Sequence, residues 1–226
     1  RVCARLAAGL PSTIAARRIL DAGCGTGFAL PLLRQRFPEA RAIALDFAPG
    51  MLHRIDWPCE RVAGDVEHLP LAPASIDLYW SSLAVQWCDP ARALAEARRV
   101  LADGGALALA SLAPDTFHEL RTAFADIDAH RHTLAFHTPE EIGELASLAG
   151  FVAVDVEKHR EIAHYADFRS LLRAVKAIGA NQLGAGRRTA LMSRDAFARA
   201  EAAIEDLREP AGLPLTYDVI TLHART

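Results

Sequence analysis

Residues 21–27 read Asp21-Ala22-Gly23-Cys24-Gly25-Thr26-Gly27, directly after the apolar pair Ile19-Leu20. Nineteen residues past Gly27, a second apolar run, Ala42-Ile43-Ala44-Leu45, ends in Asp46. Strand, glycine-rich turn, helix, strand and terminal carboxylate together make half of a nucleoside-binding site. The glycines let the backbone turn sharply and come close to a ligand. A carboxylate at the tip of the next strand can accept hydrogen bonds from both ribose hydroxyls.

Working outward, 1–10 reads as the tail of a helix, and 18–21 as the first strand. A helix is predicted over 27–37, with Phe28, Leu30 and Leu33 facing the sheet. A second strand over 41–46 and a short helix over 49–55 come next. Short strands are predicted over 61–63 and 76–81. Asp89-Pro90 then opens a helix well, because Asp supplies an N-cap oxygen and Pro fits the first helical position. That helix should run to Val100 and stop before Asp103-Gly104-Gly105, with an apolar strand over 106–110. The second half reads as helix 116–128, helix 139–150 behind the capping box Thr138-Pro139-Glu140-Glu141, and a long strand over 152–162. Helices are then predicted over 167–178 and 193–207, joined by a glycine- and arginine-bearing loop over 179–192 expected to be mobile, and a last strand runs over 216–223. Seven strands alternating with helices give an α/β class. The sheet should be doubly wound and mostly parallel, Rossmann-like, with ligands outside the carboxyl ends of its strands. The chain is expected to be a single domain over 1–226, with a helical insertion over 164–212 before the last strand.

Composition narrows the function classes. The 226 residues are 51% hydrophobic and 23% charged, in the ordinary globular range. No apolar run approaches the ~20 residues a membrane span needs. The formal net charge of −3 argues against nucleic acid as a partner. Cys3, Cys24, Cys59 and Cys88 form no Cys-x-x-Cys pair, so no metal site is expected, and reduced thiols suit a cytoplasmic protein. Cys24 is expected to pack behind the glycine loop.

The glycine pattern also narrows the ligand. A dinucleotide fold wants Gly-x-Gly-x-x-Gly, whereas this loop is Asp-x-Gly-x-Gly-x-Gly. An acid at the mouth of the loop suits a cationic ligand and would repel a pyrophosphate, which disfavours a nicotinamide-binding oxidoreductase. A third acid stands in Gly64-Asp65-Val66-Glu67-His68-Leu69-Pro70, after the third strand. Asp65 can accept from an adenine amino group while the next backbone N–H meets the ring. Asp21, Asp46 and Asp65 thus sit at or just past three successive strand ends. With Ser81-Ser82-Leu83-Ala84-Val85-Gln86-Trp87 and the Asp-Gly-Gly turn, the stretch from Ile19 to Ala110 resembles the class I S-adenosylmethionine-dependent methyltransferases. The resemblance implies S-adenosyl-L-methionine in the crevice. It implies cofactor contacts at Asp21, Gly23, Gly25, Gly27, Asp46, Phe47, Met51, Asp65, Val66, Ser81, Ser82 and Leu83.

A narrower resemblance runs through the rest of the chain. Leu112-x-x-Asp115-Thr116-x-x-Glu119-Leu120, Leu171-x-x-Ala174-Val175-Lys176-Ala177-Ile178-Gly179-Ala180-Asn181 and Pro214-Leu215-Thr216-Tyr217 resemble the malonyl-acyl-carrier-protein O-methyltransferases of biotin synthesis. This implies esterification of the free carboxylate of a malonyl thioester on acyl carrier protein, with malonyl-coenzyme A as a variant substrate. Family members have more residues before the glycine loop than the 20 that precede Asp21 here, including a helix that covers the cofactor.

The chemistry agrees with that implication. A carboxylate with a pKa of about 4 is already ionised at neutral pH, so no general base is required. Rate then comes from alignment and exclusion of water, and no catalytic dyad is expected. The substrate carboxylate still needs a partner, for which Arg121, Arg131, Arg173 and Lys176 are candidates. Between Asp167 and Arg199 stand seven cations, Arg169, Arg173, Lys176, Arg187, Arg188, Arg194 and Arg199, against two carboxylates, Asp167 and Asp195. Arg169, Arg173 and Lys176 are spaced i, i+4, i+7 along one helix face, with Leu171, Leu172, Val175 and Ile178 as the buried stripe. This basic segment suits an acidic carrier protein. Histidines at 118, 130, 132 and 137 read as polar loop residues before metal ligands or bases. Trp80 and Trp87 read as core or crevice wall, and Tyr217 as crevice, core or edge. Complex I assembly factors share the glycine loop and Asp115-Thr116-x-x-Glu119-Leu120-Arg121, a rival resemblance that implies arginine hydroxylation. A methyltransferase for another small acid is the third reading.

Overall fold

The computed structural model describes residues 1–125, 136–177 and 193–226. Its sheet has seven strands: β1 (Arg18–Ala22), β2 (Arg41–Asp46), β3 (Glu60–Ala63), β4 (Ile76–Ser82), β5 (Leu101–Leu112), β6 (Val152–Tyr165) and β7 (Leu213–Arg225). They stand in the order β3-β2-β1-β4-β5-β7-β6. Strands β1 to β5 pair in parallel, and β7 pairs with β5 antiparallel. The chain reverses outward from β1, first through β2 and β3 and then through β4 and β5, so the β1/β4 boundary is the switch point where such sheets bind ligands.

The described residues divide into two compact units. The first comprises Arg1–Leu112, His137–His159 and Val219–Thr226, and the second Ala113–Phe136 and Arg160–Asp218. In the first unit, Ile19, Leu20, Leu45, Leu78, Tyr79, Trp80, Leu107 and Ile220 are essentially inaccessible. Their near-continuous apolar runs are what strands covered on both faces require. Helix α1 (Val2–Ala8) buries Leu6, and α2 (Leu30–Arg36) buries Leu30 and Leu33. Helix α3 (Pro49–Leu52) comes directly after β2. Helix α4 (Pro90–Val100) starts as its sequence requires, the Asp89 carboxylate accepting from the N–H groups of Ala91 and Arg92. At α6 (Pro139–Leu148) Thr138 and Glu141 exchange the two bonds of a capping box.

Three of the boundaries that differ from the sequence reading do so for a clear backbone reason. Helix α2 begins at Leu30, not 27, because Gly25 and Gly27 adopt φ of +55° and +79° and hold the chain in turns. Phe28 is therefore 79% exposed instead of facing the sheet. Strand β5 begins at Leu101. Its register with β4 skips from Ile76↔Leu101 to Leu78↔Ala106, so Asp103-Gly104-Gly105 loops out of a strand instead of preceding one. Helix α5 (His118–Phe124) starts late, because Phe117 is left-handed (φ +60°) and its N–H is committed to the Thr216 carbonyl. Trp87, read as core or crevice wall, is 40% exposed. The joint over 179–192 lies outside the described residues.

The second unit has its own core. Phe117, Leu120 and Phe124 of the α5 segment meet Phe168, Leu171 and Val175 of α7 (Phe168–Ala177). Ala200 and Ile204 of α8 (Arg194–Glu205) and Leu213 and Leu215 of β7 complete it. Both α7 and α8 fall within the insertion expected before the last strand. The Asp115-Thr116-x-x-Glu119 stretch is a latch in this unit. The buried Thr116 hydroxyl donates to the Asp218 carbonyl (2.9 Å) and accepts from the Asp218 N–H (3.1 Å). The Thr216 hydroxyl donates to Glu119. Thr116→Val keeps the shape and removes both bonds, leaving the buried Asp218 N–H without its partner. It should cost about 1–3 kcal/mol and lower the melting temperature by several degrees. An unchanged thermal melt would refute the latch.

Candidate functional site

The site builds from the tips of β1, β2, β3 and β4, all in the first unit. The tip of β2 grips the glycine loop: the N–H groups of Gly23 and Cys24 both donate to the Leu45 carbonyl, at 2.8 and 2.9 Å. One residue on, the Asp46 carboxylate accepts from Gly25 N–H on Oδ2 (2.8 Å) and from Ala48 N–H on Oδ1 (2.9 Å). An ionised carboxylate offers about four lone-pair positions, so each oxygen of this half-buried acid keeps one for a ligand. Two free acceptor positions on a fixed carboxylate match the two hydroxyls of a ribose.

The three loop glycines have different reasons to be glycine. A Cβ on Gly23 would stand 2.3 Å from the Ala84 Cβ, and one on Gly27 would meet Leu30 and Ile55. A Cβ on Gly25 would meet no protein atom within 4 Å. Packing therefore demands Gly23 and Gly27, while beyond its left-handed φ Gly25 keeps open space at the strand tips. Cys24 is buried behind the loop, and burial pushes its thiol up, so it packs and does not react.

Asp21, at the end of β1, is 2% exposed. Its Oδ2 has no hydrogen-bond partner among the described residues. Burial first, and then the charge of Asp46, push its carboxyl from the ordinary 3.8 up to about 7. An acid held that near neutrality lacks a positive partner, which a cationic ligand would supply.

On the β3 side, Asp65 Oδ1 accepts from the Glu67 N–H (2.9 Å), forming a turn that leaves Asp65 and Val66 half-buried. Helix α4 braces that loop. Glu96 accepts from the Leu69 N–H (2.6 Å), and Arg99 donates to the carbonyls of Leu69 and Leu71. Glu67 accepts from the Asp89 N–H. The Glu96/Arg99 brace was missed in sequence, where its i, i+3 spacing was the available signal. Phe47 and Met51, just past Asp46, are 79% and 41% exposed, an apolar surface that a planar ring can cover. At the β4 tip, Ser81 is buried and its hydroxyl donates to the Ala22 carbonyl (2.9 Å), so its side chain ties β4 to β1. Ser82 and Leu83 are half-buried, and Leu83 is left-handed with its N–H on the Ala110 carbonyl.

Of the candidate carboxylate partners, Arg121, Arg173 and Lys176 lie in the second unit. Arg121 is half-buried and donates to the Thr116 carbonyl. Arg173 and Lys176 are exposed on α7. Arg131 lies outside the described residues, as do His130 and His132. His118 and His137 each neighbour one carboxylate, Glu119 and Glu141. Among the described residues no three His, Cys, Asp or Glu are gathered to hold a metal. No helix among them is long and apolar enough to cross a membrane. Tyr217 is half-buried, its hydroxyl 3.1 Å from that of Tyr165.

Comparison with known proteins agrees with this geometry. Residues 20–109 match the family model described as "Methyltransferase domain". The malonyl-[acyl-carrier protein] O-methyltransferase of Dechloromonas aromatica is 69% identical over 225 residues, covering 100% of this chain and 86% of that protein. The biotin biosynthesis bifunctional protein BioHC of Teredinibacter turnerae is 36% identical over 223 residues, covering 92% of this chain and 39% of that protein. The crystal structure of an S-adenosylmethionine-dependent methyltransferase from Archaeoglobus fulgidus aligns with a TM-score of 0.58 at 20% identity. It covers 100% of this chain and 93% of that one, a likeness of fold.

Two outcomes test the site. Gly25→Val should leave a folded protein that no longer binds S-adenosylhomocysteine by calorimetry, because the new side chain fills the ligand's space. For Asp21 the sign comes from its raised value. Between its ordinary 3.8 and about 7 the folded state holds a proton that the unfolded chain has released. Stability of the ligand-free protein therefore falls as pH rises through that window. A cationic ligand favours the ionised form, so its affinity should rise roughly fivefold from pH 6 to 7 and level off above about pH 8. Asp21→Asn should flatten that profile, and a wild-type profile already flat would refute the assignment.

Proposed function

The chain belongs to the malonyl-[acyl-carrier protein] O-methyltransferase family, and from that premise we propose how its two units serve that reaction. It is an S-adenosylmethionine-dependent O-methyltransferase that esterifies the free carboxylate of malonyl-acyl-carrier protein in biotin synthesis. The observation that carries the cofactor assignment is the Asp46 carboxylate, fixed by two backbone N–H groups with one position per oxygen left over. When bound, S-adenosyl-L-methionine supplies an electrophilic methyl group on a positively charged sulfur.

The residues of the chain do the rest by placement. Asp46 anchors the ribose, and Asp65 with the Val66 N–H meets the adenine edge between the exposed faces of Phe47 and Met51. Asp21 and the open space at Gly25 receive the cationic amino-acid end. Ser82 and Leu83 border the transferred methyl, with Ser81 holding their strand to β1. No side chain is required to remove a proton, since the acceptor is ionised at neutral pH. The work of the protein is alignment and exclusion of water.

The helical insertion over 164–212 is assigned to substrate and carrier. Arg169, Arg173 and Lys176 are exposed along α7 while Leu171 and Val175 are buried beneath them. Arg194 and Arg199 are exposed on α8. Arg187 and Arg188 lie outside the described residues. Such a face attracts an acidic carrier chiefly by speeding association. The candidates for the malonyl carboxylate are Arg121, whose bond to the Thr116 carbonyl uses one of its five N–H groups, Arg131, Arg173 and Lys176. The four cysteines are free thiols, which fits a cytoplasmic enzyme.

Transfer of labelled methyl to malonyl-carrier protein, malonyl-coenzyme A and free malonate tests the function directly. Methylation of free malonate in preference to both thioesters would sink it. Docking has a separate readout: 150 mM added salt should raise the KM for the carrier-linked substrate severalfold. Arg169→Glu should raise it roughly three- to tenfold, with little change for malonyl-coenzyme A. A salt-independent KM would remove the docking face.

A further inference from the structure

Apart from the strand tips, the first unit has a cleft between α2 and the segment that leads into β3. Leu33 and Phe37 of α2 line it, with Ala40 and Ala42 at the start of β2 and Trp57 from the segment before β3. It encloses about 100 Å³ and opens to solvent. None of the residues assigned to the cofactor lines it. Its space has a local origin, since two alanines stand where larger side chains would close the gap. Leu33, Phe37 and Ala40 are buried, whereas Trp57 is 43% exposed. Exposed aromatic surface beside an apolar cavity is the mark of a binding site. Arg34, on the same helix, is the only ionisable residue among those described that line the cleft. Neither the Arg34 nor the Trp57 side chain has a hydrogen-bond, ion-pair or ring partner among the described residues.

A ligand for this place needs an apolar body small enough to enter beside Trp57 and an anionic end for Arg34. An apolar cavity of ~150 Å³ takes one benzene ring, so this smaller, open cleft suits a single ring or a short branched chain that enters in part. The charge at its mouth selects the anion. A guanidinium grips a planar carboxylate through two parallel N–H bonds. A phosphate dianion is poorly served here. Arg34 stands in the last turn of α2, and the negative end of a helix disfavours a multiply charged anion. We propose that this cleft binds a small monocarboxylate with a compact apolar body, its ring or chain against Trp57 and Ala42 and its carboxylate on Arg34. The site is separate from the methyl-transfer crevice and does not depend on the cofactor assignment.

Nuclear magnetic resonance on the full chain tests the site, with benzoate as the probe and benzyl alcohol as its neutral counterpart. Trp57→Phe identifies the Trp57 indole N–H signal among those of the three tryptophans. Benzoate should move that signal saturably, with a Kd on the order of a millimolar for so small a ligand. Benzyl alcohol should bind roughly two- to fivefold more weakly, the scale of an ion pair open to solvent. Arg34→Gln, a change at an exposed position, should bring benzoate down to the wild-type level of the alcohol and leave the alcohol unchanged. Saturating S-adenosylhomocysteine should leave the benzoate shift in place. A Trp57 signal that does not saturate, equal affinity for the two probes, or wild-type benzoate binding by Arg34→Gln overturns the site. Displacement of benzoate by S-adenosylhomocysteine would put the probe in the cofactor crevice and overturn it as well.

Discussion

The grip of the β2 tip on the glycine loop is the constraint on which the site depends. Two loop N–H groups converge on the Leu45 carbonyl, and a third reaches the Asp46 carboxylate. Three glycines in succession then hold left-handed φ values, a backbone path that other residues would resist. The carboxylate that fixes the loop is the one we propose as the ribose anchor. Loop shape and ligand anchor therefore cannot vary independently. This is preorganisation in a literal sense: the acid is oriented before any ligand arrives, so little ordering remains to be done on binding.

Electrostatics at the strand tips points the same way. Asp21 and Asp46 are like charges close enough to influence each other, and the more buried of them is pushed up to about 7. A fold seeking stability alone would not bury a carboxylate beside another without a cation. The arrangement becomes favourable when a positive ligand enters.

Much of this was legible in the sequence because its signals are local. The Asp-x-Gly-x-Gly-x-Gly loop, the Asp89 cap and the Thr138-to-Glu141 box each act over a few residues, and apolar runs such as 106–110 announce strands buried on both faces. The failures came from backbone conformation and from pairing across the chain. Phe28 sits where a helical stripe would bury it, but positive φ at Gly25 and Gly27 delays the helix. Phe117 is taken out of α5 by a bond to Thr216, far along the chain. The Trp80 indole, read as core or wall, is buried, but its partnerless N–H emerges only once β1 and β4 are in register. No spacing within either strand encodes that juxtaposition.

The Asp115-Thr116-x-x-Glu119-Leu120-Arg121 stretch carries the sharpest lesson, because it supported two rival functions. In the structure it is spent on architecture. Thr116 secures both backbone groups of Asp218, Arg121 closes onto Thr116, and Glu119 receives Thr216. Asp218 in turn holds the Arg160 guanidinium by two bonds, at 2.9 and 3.3 Å. A segment so occupied does not by itself discriminate between methyl transfer and hydroxylation. Discrimination has to come from groups with capacity left over. In the first unit those are the lone pairs of Asp46 and the unmatched atoms of Asp21 and Trp80. Under the proposed function, Asp46 and Asp21 take the ribose and the cationic amino-acid end of the cofactor.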